Sequence, residues 1–233
     1  MNKTNEIDKH ISENSKDFNL WINGINNYLD YKYSDKELES KEAWKITSEC
    51  IDVFADIIEL CIKYGKFRDN WDYNHFYQNI YGPELIIRSL KTETEYRLGI
   101  DNEGIYLSTS LRFNENLRYM DDDYWRSVLN LSDFSGFIYN EYEFVSTERV
   151  KKFPELFNAN KSIIYRILRK YLFDSTDTNS NYPHGSVGEF KIYCSLSEDF
   201  EECVKRFCLA FKIMYQLNYK LWKVSDLKSK KKI

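Results

Sequence analysis

Two acidic residues and a histidine recur at regular spacing within one aromatic stretch of the chain. They are Asp69, Asp72 and His75, at positions i, i+3 and i+6. On a helix these side chains would share one broad face, where they could bind a metal ion or act as an acid–base pair. The same spacing is also typical of a solvated helix face. A second histidine, His184, lies beside a polar loop and has no identifiable catalytic partner in the sequence.

The strongest local signal is a run of three carboxylates, Asp121–Asp123, followed by Tyr124 and Trp125. Adjacent carboxylates repel one another, so they are not expected to be buried together without a cation. One interpretation is a solvated helix N-terminus, where Asp complements the helix dipole. A metal site is disfavoured because consecutive side chains diverge. The third interpretation is an acidic, aromatic surface that engages a basic partner.

Glu141 and Glu143, on either side of Tyr142, repeat this combination of acidic and aromatic residues. The residues predicted to bind a partner are Asp121, Asp122, Asp123, Tyr124, Trp125, Glu141 and Glu143.

The sequence predicts neither a cofactor nor a metal. It has no glycine-rich phosphate-binding loop, no GxSxG, no HExxH and no EF-hand loop. The five cysteines include no CxxC, and the three histidines are scattered, whereas zinc sites need clustered ligand pairs. We expect reduced cysteines that act as small core residues. Cys50 and Cys61 share a predicted helix face without meeting, and Cys203 and Cys208 diverge.

The formal charge of −4 is unevenly distributed along the chain. Residues 1–150 carry a net charge of −11 and residues 151–233 one of +7. Four lysines of the last segment belong to a C-terminal tail that we expect to be frayed. Arg166, Arg169 and Lys170 form one basic face of a predicted helix, which is usually a solvated face. The acidic total disfavours nucleic-acid binding, which needs a basic surface.

The composition excludes several classes of protein. Apolar residues make up 42% and aromatic residues 17% of the 233 residues, whereas Gly (8) and Pro (3) are scarce. Disordered and collagen-like chains have the opposite bias. No apolar run approaches the ~18–20 residues that span a bilayer, and residues 1–6 lack the apolar core of a signal peptide. We expect a cytoplasmic globular protein that does not contact membranes.

Hydrophobic spacing predicts a helical hairpin at the N-terminus. Apolar residues at steps of three and four predict a helix over 16–31 that Ile7 and Ile11 extend upstream. The segment 34–37, Ser-Asp-Lys-Glu, is typical of a capping box. A second helix, the longest element of the chain, is predicted from there to Tyr64, with Gly65 in the left-handed position that follows a helix.

The middle of the chain favours an antiparallel sheet. Residues 96–100 and 105–111 flank a turn in which Gly104 can adopt the positive φ of a hairpin. Residues 85–90 fit either a strand or a short helix. Further strands are predicted at 137–139, 142–145 and 187–194.

Helices return in the last third of the chain. They are predicted at 147–156, at 160–173 and at 198–222, with Ser195 or Ser197 capping the last one, and a loop is predicted at 174–181. Helices followed by strands and then helices favour an α+β fold. We expect a single domain over residues 1–233, with a possible division near residue 82.

The profile of the chain resembles the small immunity proteins of bacterial polymorphic-toxin and contact-dependent-inhibition systems. The resemblance rests on the segment 121–125 together with the closing segments 197–203, 211–215 and 221–222. It implies a non-catalytic, cytosolic α+β protein that neutralises a cognate toxin, often a basic nuclease, by binding it.

Two other hypotheses remain open at the level of sequence. One is a small enzyme or toxin that uses Asp69, Asp72 and His75, or His184. The other is a phage or host-defence regulatory module that binds a protein or a nucleic acid. The oligomeric state is not predicted.

Overall fold

A computed structural model describes residues 3–14, 18–34, 38–79, 82–140, 151–152, 162–176 and 187–231. Within these ranges the chain forms six α-helices, one 3-10 helix and six β-strands. The helices are α1 (Lys3–Asn14), α2 (Phe18–Lys32), α3 (Ser40–Gly65), the 3-10 helix (Asn114–Tyr119), α4 (Asp122–Ser132), α5 (Ile163–Thr176) and α6 (Phe200–Lys231). None of the helices in these ranges is long and apolar enough to cross a membrane.

The strands form one antiparallel sheet in the order β1-β2-β3-β4-β6-β5. They are β1 (Trp71–Asn79), β2 (Gly82–Ser89), β3 (Glu95–Ile100), β4 (Ile105–Ser110), β5 (Phe137–Asn140) and β6 (Glu189–Cys194). β1 ends at Asn79, β2 begins at Gly82, and the two strands pair with each other. The α+β class is confirmed, with its N-terminal helical hairpin and C-terminal helix.

The β3–β4 hairpin forms where the sequence predicts it. Gly104 has φ +146°, and a Cβ at this position would lie 2.2 Å from the carbonyl oxygen of Cys194 in β6. Only glycine is free of both the steric and the conformational penalty here. The amide of Asp101 donates to the carbonyl of Gly104 over 3.0 Å and closes the turn.

The hydrophobic core lies between α3, α6 and one face of the sheet. Side chains alternate along each strand, so that Tyr96, Leu98 and Ile100 of β3 are buried, with at most 1% exposure. Five rings form an aromatic cluster within this core: Phe67, Trp71, Tyr96, Phe211 and Tyr215. Part of the aromatic excess in the composition therefore lies in the core.

Several predicted boundaries are wrong. The predicted helix over 16–31 corresponds to α2, whereas Ile7 and Ile11 lie in α1. α3 begins at Ser40 with Glu39 in the capping position and no side-chain cap, and Lys66 rather than Gly65 adopts the left-handed conformation. The predicted box lies six residues upstream of Ser40, and its residues 35–37 are outside the described ranges. The segment 85–90, which was compatible with two structures, lies mostly in strand β2.

The C-terminal tail also differs from the prediction. α6 continues to Lys231 and, at 32 residues, is longer than α3 with 26. Lys228 anchors the tail: its ammonium donates to the Asn116 side chain over 2.6 Å and lies 4.3 Å from the ring centre of Tyr119. Residues 174–176 of the predicted loop belong to α5, and its residues 177–181 lie outside the described part of the chain. The predicted strand at 142–145 and most of the predicted helix at 147–156 lie outside the described residues.

Candidate functional site

The three aspartates lie at the N-terminus of α4. Asp121 is the capping residue, and its carboxylate accepts a hydrogen bond from the backbone amide of Tyr124 over 2.9 Å. Asp122 and Asp123 occupy the first turn. The Tyr124 amide and the Lys220 ammonium, 3.2 Å away, hold the pKa of Asp121 below its usual value. The helix N-terminus interpretation of this run is therefore confirmed.

The buried face of α4 fixes the helix on the core. Tyr124, Val128 and Leu131, at steps of four and three, are fully buried. The ring of Tyr124 is consequently not accessible to a partner, and we remove this residue from the predicted surface. Trp125 is half-buried, with its ring perpendicular to that of Tyr124 at 5.2 Å.

An aromatic residue that is not among the predicted partner-binding residues lies next to this helix. The 3-10 helix that precedes α4 presents Tyr119, which is 51% exposed. Two cations lie close to the centre of this ring, Arg118 at 4.8 Å and Lys228 at 4.3 Å. We define the α4 surface as Tyr119, Asp122, Asp123 and Trp125, with Asp121 at its edge.

Four cations reduce the charge of the α4 surface. Arg118 and Lys228 lie against the Tyr119 ring, and the other two pair with aspartates. Lys220 pairs with Asp121, and Arg126 pairs with Asp123 over 3.2 Å. Asp122 has no ion-pair partner among the described residues. Exposed pairs are weak and screened by salt, so the carboxylates of Asp122 and Asp123 stay available to a cationic partner. The surface as a whole is nevertheless of mixed charge, not acidic as the sequence run suggests. Lys220 is 99 residues from Asp121 along the chain, so no local pattern indicates this pairing.

Replacement of Asp121 by alanine is expected to lower the melting temperature, whereas replacement of Asp122 leaves it nearly unchanged. Only Asp121 accepts a hydrogen bond from the first turn. Because the pKa of Asp121 is lowered in the fold, its contribution is present above the ordinary carboxyl pKa and is lost as the pH falls through the lowered value. Thermal unfolding of both variants at neutral and at acidic pH measures this. An equal loss in the two variants would contradict the capping role.

The helix on which Asp69, Asp72 and His75 would share one face is absent, because these residues precede or lie within strand β1. Asp69 accepts hydrogen bonds from the hydroxyls of Ser89 (2.5 Å) and Tyr215 (2.8 Å). Asp69 thus connects the segment before β1 to β2 and α6. Because the backbone is extended here, positions i, i+3 and i+6 do not form one face as they would on a helix. The β1–β2 register also shifts between Asp72 and His75.

Three other predicted residues, and one side chain, lie outside the part of the chain that the structure describes. The side chain of His75 and the whole of His184 lie outside the described residues, and so do Glu141 and Glu143.

The face of the sheet opposite the core carries a polar network. Glu84 is 4% exposed; its carboxylate accepts from the Tyr106 hydroxyl over 2.5 Å and lies 3.5 Å from the Arg97 guanidinium. The Lys191 ammonium lies 4.0 Å from the ring centre of Tyr106. Alternation of polar and apolar residues in β3 and β6 could have indicated this face from sequence.

A cleft of about 610 Å³ opens at one end of this face. Its lining includes Arg88, Arg97 and Arg112 together with Glu93, Glu95 and Glu189. Arg97 pairs with Glu95 at 3.1 Å and Arg112 with Glu93 at 3.5 Å. With Glu115 the lining holds four glutamates and three arginines, so the cleft carries both signs of charge.

Among the residues that the structure describes, no group of three or more His, Cys, Asp and Glu side chains could hold a metal ion. Comparisons of the chain with protein-family models, curated proteins and solved structures gave no match. The fold and the contacts define the class as an α+β protein whose antiparallel sheet packs against helices on one face.

Proposed function

We propose that the protein is a non-catalytic binding protein that neutralises a cognate bacterial toxin, as immunity proteins do, through the α4 surface. The observation that supports this most directly is that acidic and aromatic residues are exposed together at the N-terminal end of α4 and in the 3-10 helix before it. The side chain of Asp123 is 71% exposed and Tyr119 is 51% exposed, whereas Tyr124 and Val128 on the opposite face are fully buried.

An anchored surface of this kind suits rapid and lasting association. Because α4 is held by its buried face and by the Asp121 cap, its exposed side chains lose little backbone freedom when they bind. The carboxylates increase the rate of encounter with a cationic partner, and burial of the Tyr119 and Trp125 rings slows dissociation. A basic toxin, such as a nuclease with a positive substrate-binding surface, has the complementary charge.

The function is tested with the protein encoded immediately upstream of this chain. That protein is expressed in a bacterial host alone and together with the chain, and the two purified proteins are titrated by calorimetry. We expect growth arrest that the chain relieves, and an affinity that falls as the salt concentration rises. A harmless upstream protein, or one that the purified chain does not bind, would contradict the proposal.

Replacement of Asp122 and Asp123 by asparagine tests the surface. We expect the affinity at low salt to fall about tenfold and its salt dependence to become shallower, because two steering charges are removed. Asp121 is kept, since its loss would disturb the helix itself. Association and dissociation rates measured by surface plasmon resonance separate the two effects, with most of the change in the association rate.

The matched control is the double variant Glu13→Gln/Glu49→Gln. It removes two exposed carboxylates that pair with lysines on α1 and α3, so it changes the net charge of the protein equally. If both double variants weaken binding to the same extent, the effect is one of total charge and the α4 surface is not the binding site.

A further inference from the structure

A row of four side chains crosses the sheet within the cleft of about 610 Å³. In the register of the sheet, Arg88 of β2 lies opposite Glu95 of β3. Ser110 of β4 lies opposite Glu189 of β6, and the β3–β4 register joins the two pairs into one row. Since neighbouring strands are about 4.8 Å apart, the backbones of Arg88 and Glu189, at the two ends of the row, are about 14 Å apart.

Most of the charges that line the cleft are paired with one another. Arg97 pairs with Glu95 over 3.1 Å, and Arg112 pairs with Glu93 over 3.5 Å. The other charged side chains of the lining have no ion-pair partner in the part of the chain that the structure describes: Arg88, Glu115 and Glu189. These three groups are the ones available to a charged ligand.

The unpaired groups give the cleft a positive and a negative end. Arg88 is half-buried in β2. Glu189 lies three strands away in β6, where its carboxylate accepts a hydrogen bond from the Ser108 hydroxyl over 2.7 Å. Glu115 lies in the 3-10 helix that follows β4, the strand next to β6. A ligand of one sign would be attracted to one end and repelled from the other, whereas a ligand with a separate cation and anion suits both.

We propose that this cleft binds a short peptide with free termini, whose C-terminal carboxylate pairs with Arg88 and whose N-terminal ammonium lies beside Glu115 and Glu189. A guanidinium binds a carboxylate through two parallel hydrogen bonds. An ammonium has three N–H donors, which the two glutamates can accept together.

The dimensions of the cleft fit such a peptide. Because an extended chain advances about 3.3 Å per residue, a peptide of about two to four residues spans roughly 7–13 Å, and the side chains at the two ends cover the remaining distance. A free amino acid is too short, since its ammonium and its carboxylate are attached to one carbon. The volume of the cleft lies within the range of small-ligand sites, about 300–1,000 Å³.

Calorimetric titration of the native chain tests the class of ligand. The probes are the dipeptide, tripeptide and tetrapeptide of alanine, each with free termini, with an acetylated N-terminus and with an amidated C-terminus. We expect saturable binding of at least one free peptide, and binding at least about tenfold weaker for both of its blocked forms and for free alanine. If no free peptide binds at concentrations up to about 10 mM, or if either blocked form binds as tightly as the free peptide, the proposal is overturned.

Arg88→Gln tests the carboxylate end of the cleft. We expect this variant to bind the free peptide about tenfold more weakly than the native chain and to lose the preference over the amidated peptide, because variant and amide remove the same contact. The control is Arg126→Gln, which removes an exposed arginine of α4 outside the cleft and should bind like the native chain. A variant Arg88→Gln that keeps the native preference for a free carboxylate would contradict the assignment.

Glu115→Gln/Glu189→Gln tests the ammonium end. Glutamine keeps an acceptor for the Ser108 hydroxyl, so this double variant removes charge with little change of shape. We expect it to lose the preference for the free over the acetylated N-terminus, whereas Glu13→Gln/Glu49→Gln, with the same change of net charge, keeps it. If both double variants lose the preference equally, the effect is one of total charge and the proposal fails. Circular dichroism verifies that each variant is folded, and the titrations of the native chain decide the proposal if a variant is not.

Discussion

Replacement of Phe211 by alanine is expected to lower the free energy of unfolding by about 3–5 kcal/mol. The Phe211 ring is fully buried, and its centre lies 4.7 Å from that of Tyr96, 5.6 Å from Trp71 and 5.7 Å from Phe67. These rings come from α6, β3, β1 and the segment after α3. The substitution therefore leaves a cavity where several elements meet, which rigid neighbours fill only in part. Urea unfolding followed by tryptophan fluorescence measures the loss.

Two further variants make this result specific. Phe211→Leu keeps most of the volume and is expected to cost less than about 2 kcal/mol. Leu227→Ala, on the same helix at a residue that is 50% exposed, is expected to change stability by no more than about 0.5 kcal/mol. A loss for Phe211→Ala as small as that for Leu227→Ala would show that the aromatic cluster does not hold these elements together.

Local pattern predicted the elements better than their ends. The apolar spacing of α6, which includes Phe207, Phe211 and Met214, predicts a helix because those residues face the core at steps of three and four. The same reasoning ends α6 near residue 222, although the helix continues to Lys231. The continuation depends on Lys228 and its contacts with Asn116 and Tyr119, which are more than 100 residues away in sequence.

The candidate site was predicted only in part, because local residue pattern determines some of its features and the packing of distant elements determines the others. The Asp121 cap follows from residue type, because Asp favours the position before a helix. The burial of Tyr124 was also readable, since Tyr124, Val128 and Leu131 share the spacing of a buried face. The pairing of Lys220 with Asp121 and the exposure of Tyr119 depend on how α6 packs against α4 and the 3-10 helix. Single-sequence periodicity contains no such information.

Raising the pH above about 10 is expected to destabilise the protein steeply, because tyrosines ionise there in the unfolded chain. Burial raises the pKa of Tyr96 and of Tyr124 in the fold, and burial with smaller contributions from Cys50 and two tyrosines raises that of Tyr28 to about 12. Because the pKa of each of these tyrosines is higher in the folded than in the unfolded chain, its contribution to folding stability is complete below the unfolded pKa. This contribution is lost as the pH rises above that value. Each fully buried tyrosine then lowers the free energy of unfolding by up to about 1.4 kcal/mol per pH unit.

Tyr124→Phe isolates one of these groups. The Tyr124 hydroxyl is buried and has no hydrogen-bond partner among the described residues, so its removal is expected to be neutral or to stabilise the protein by about 1 kcal/mol at pH 7. Above pH ~10 the advantage of the variant should grow, since its unfolded state has one proton fewer to lose. Tyr165→Phe, at a residue that is 51% exposed, is the control and should follow the native protein at every pH. Urea unfolding from pH 7 to 11 measures the difference in stability between each variant and the native protein. If native protein and Tyr124→Phe lose stability in parallel, ionisation of Tyr124 does not contribute to alkaline unfolding.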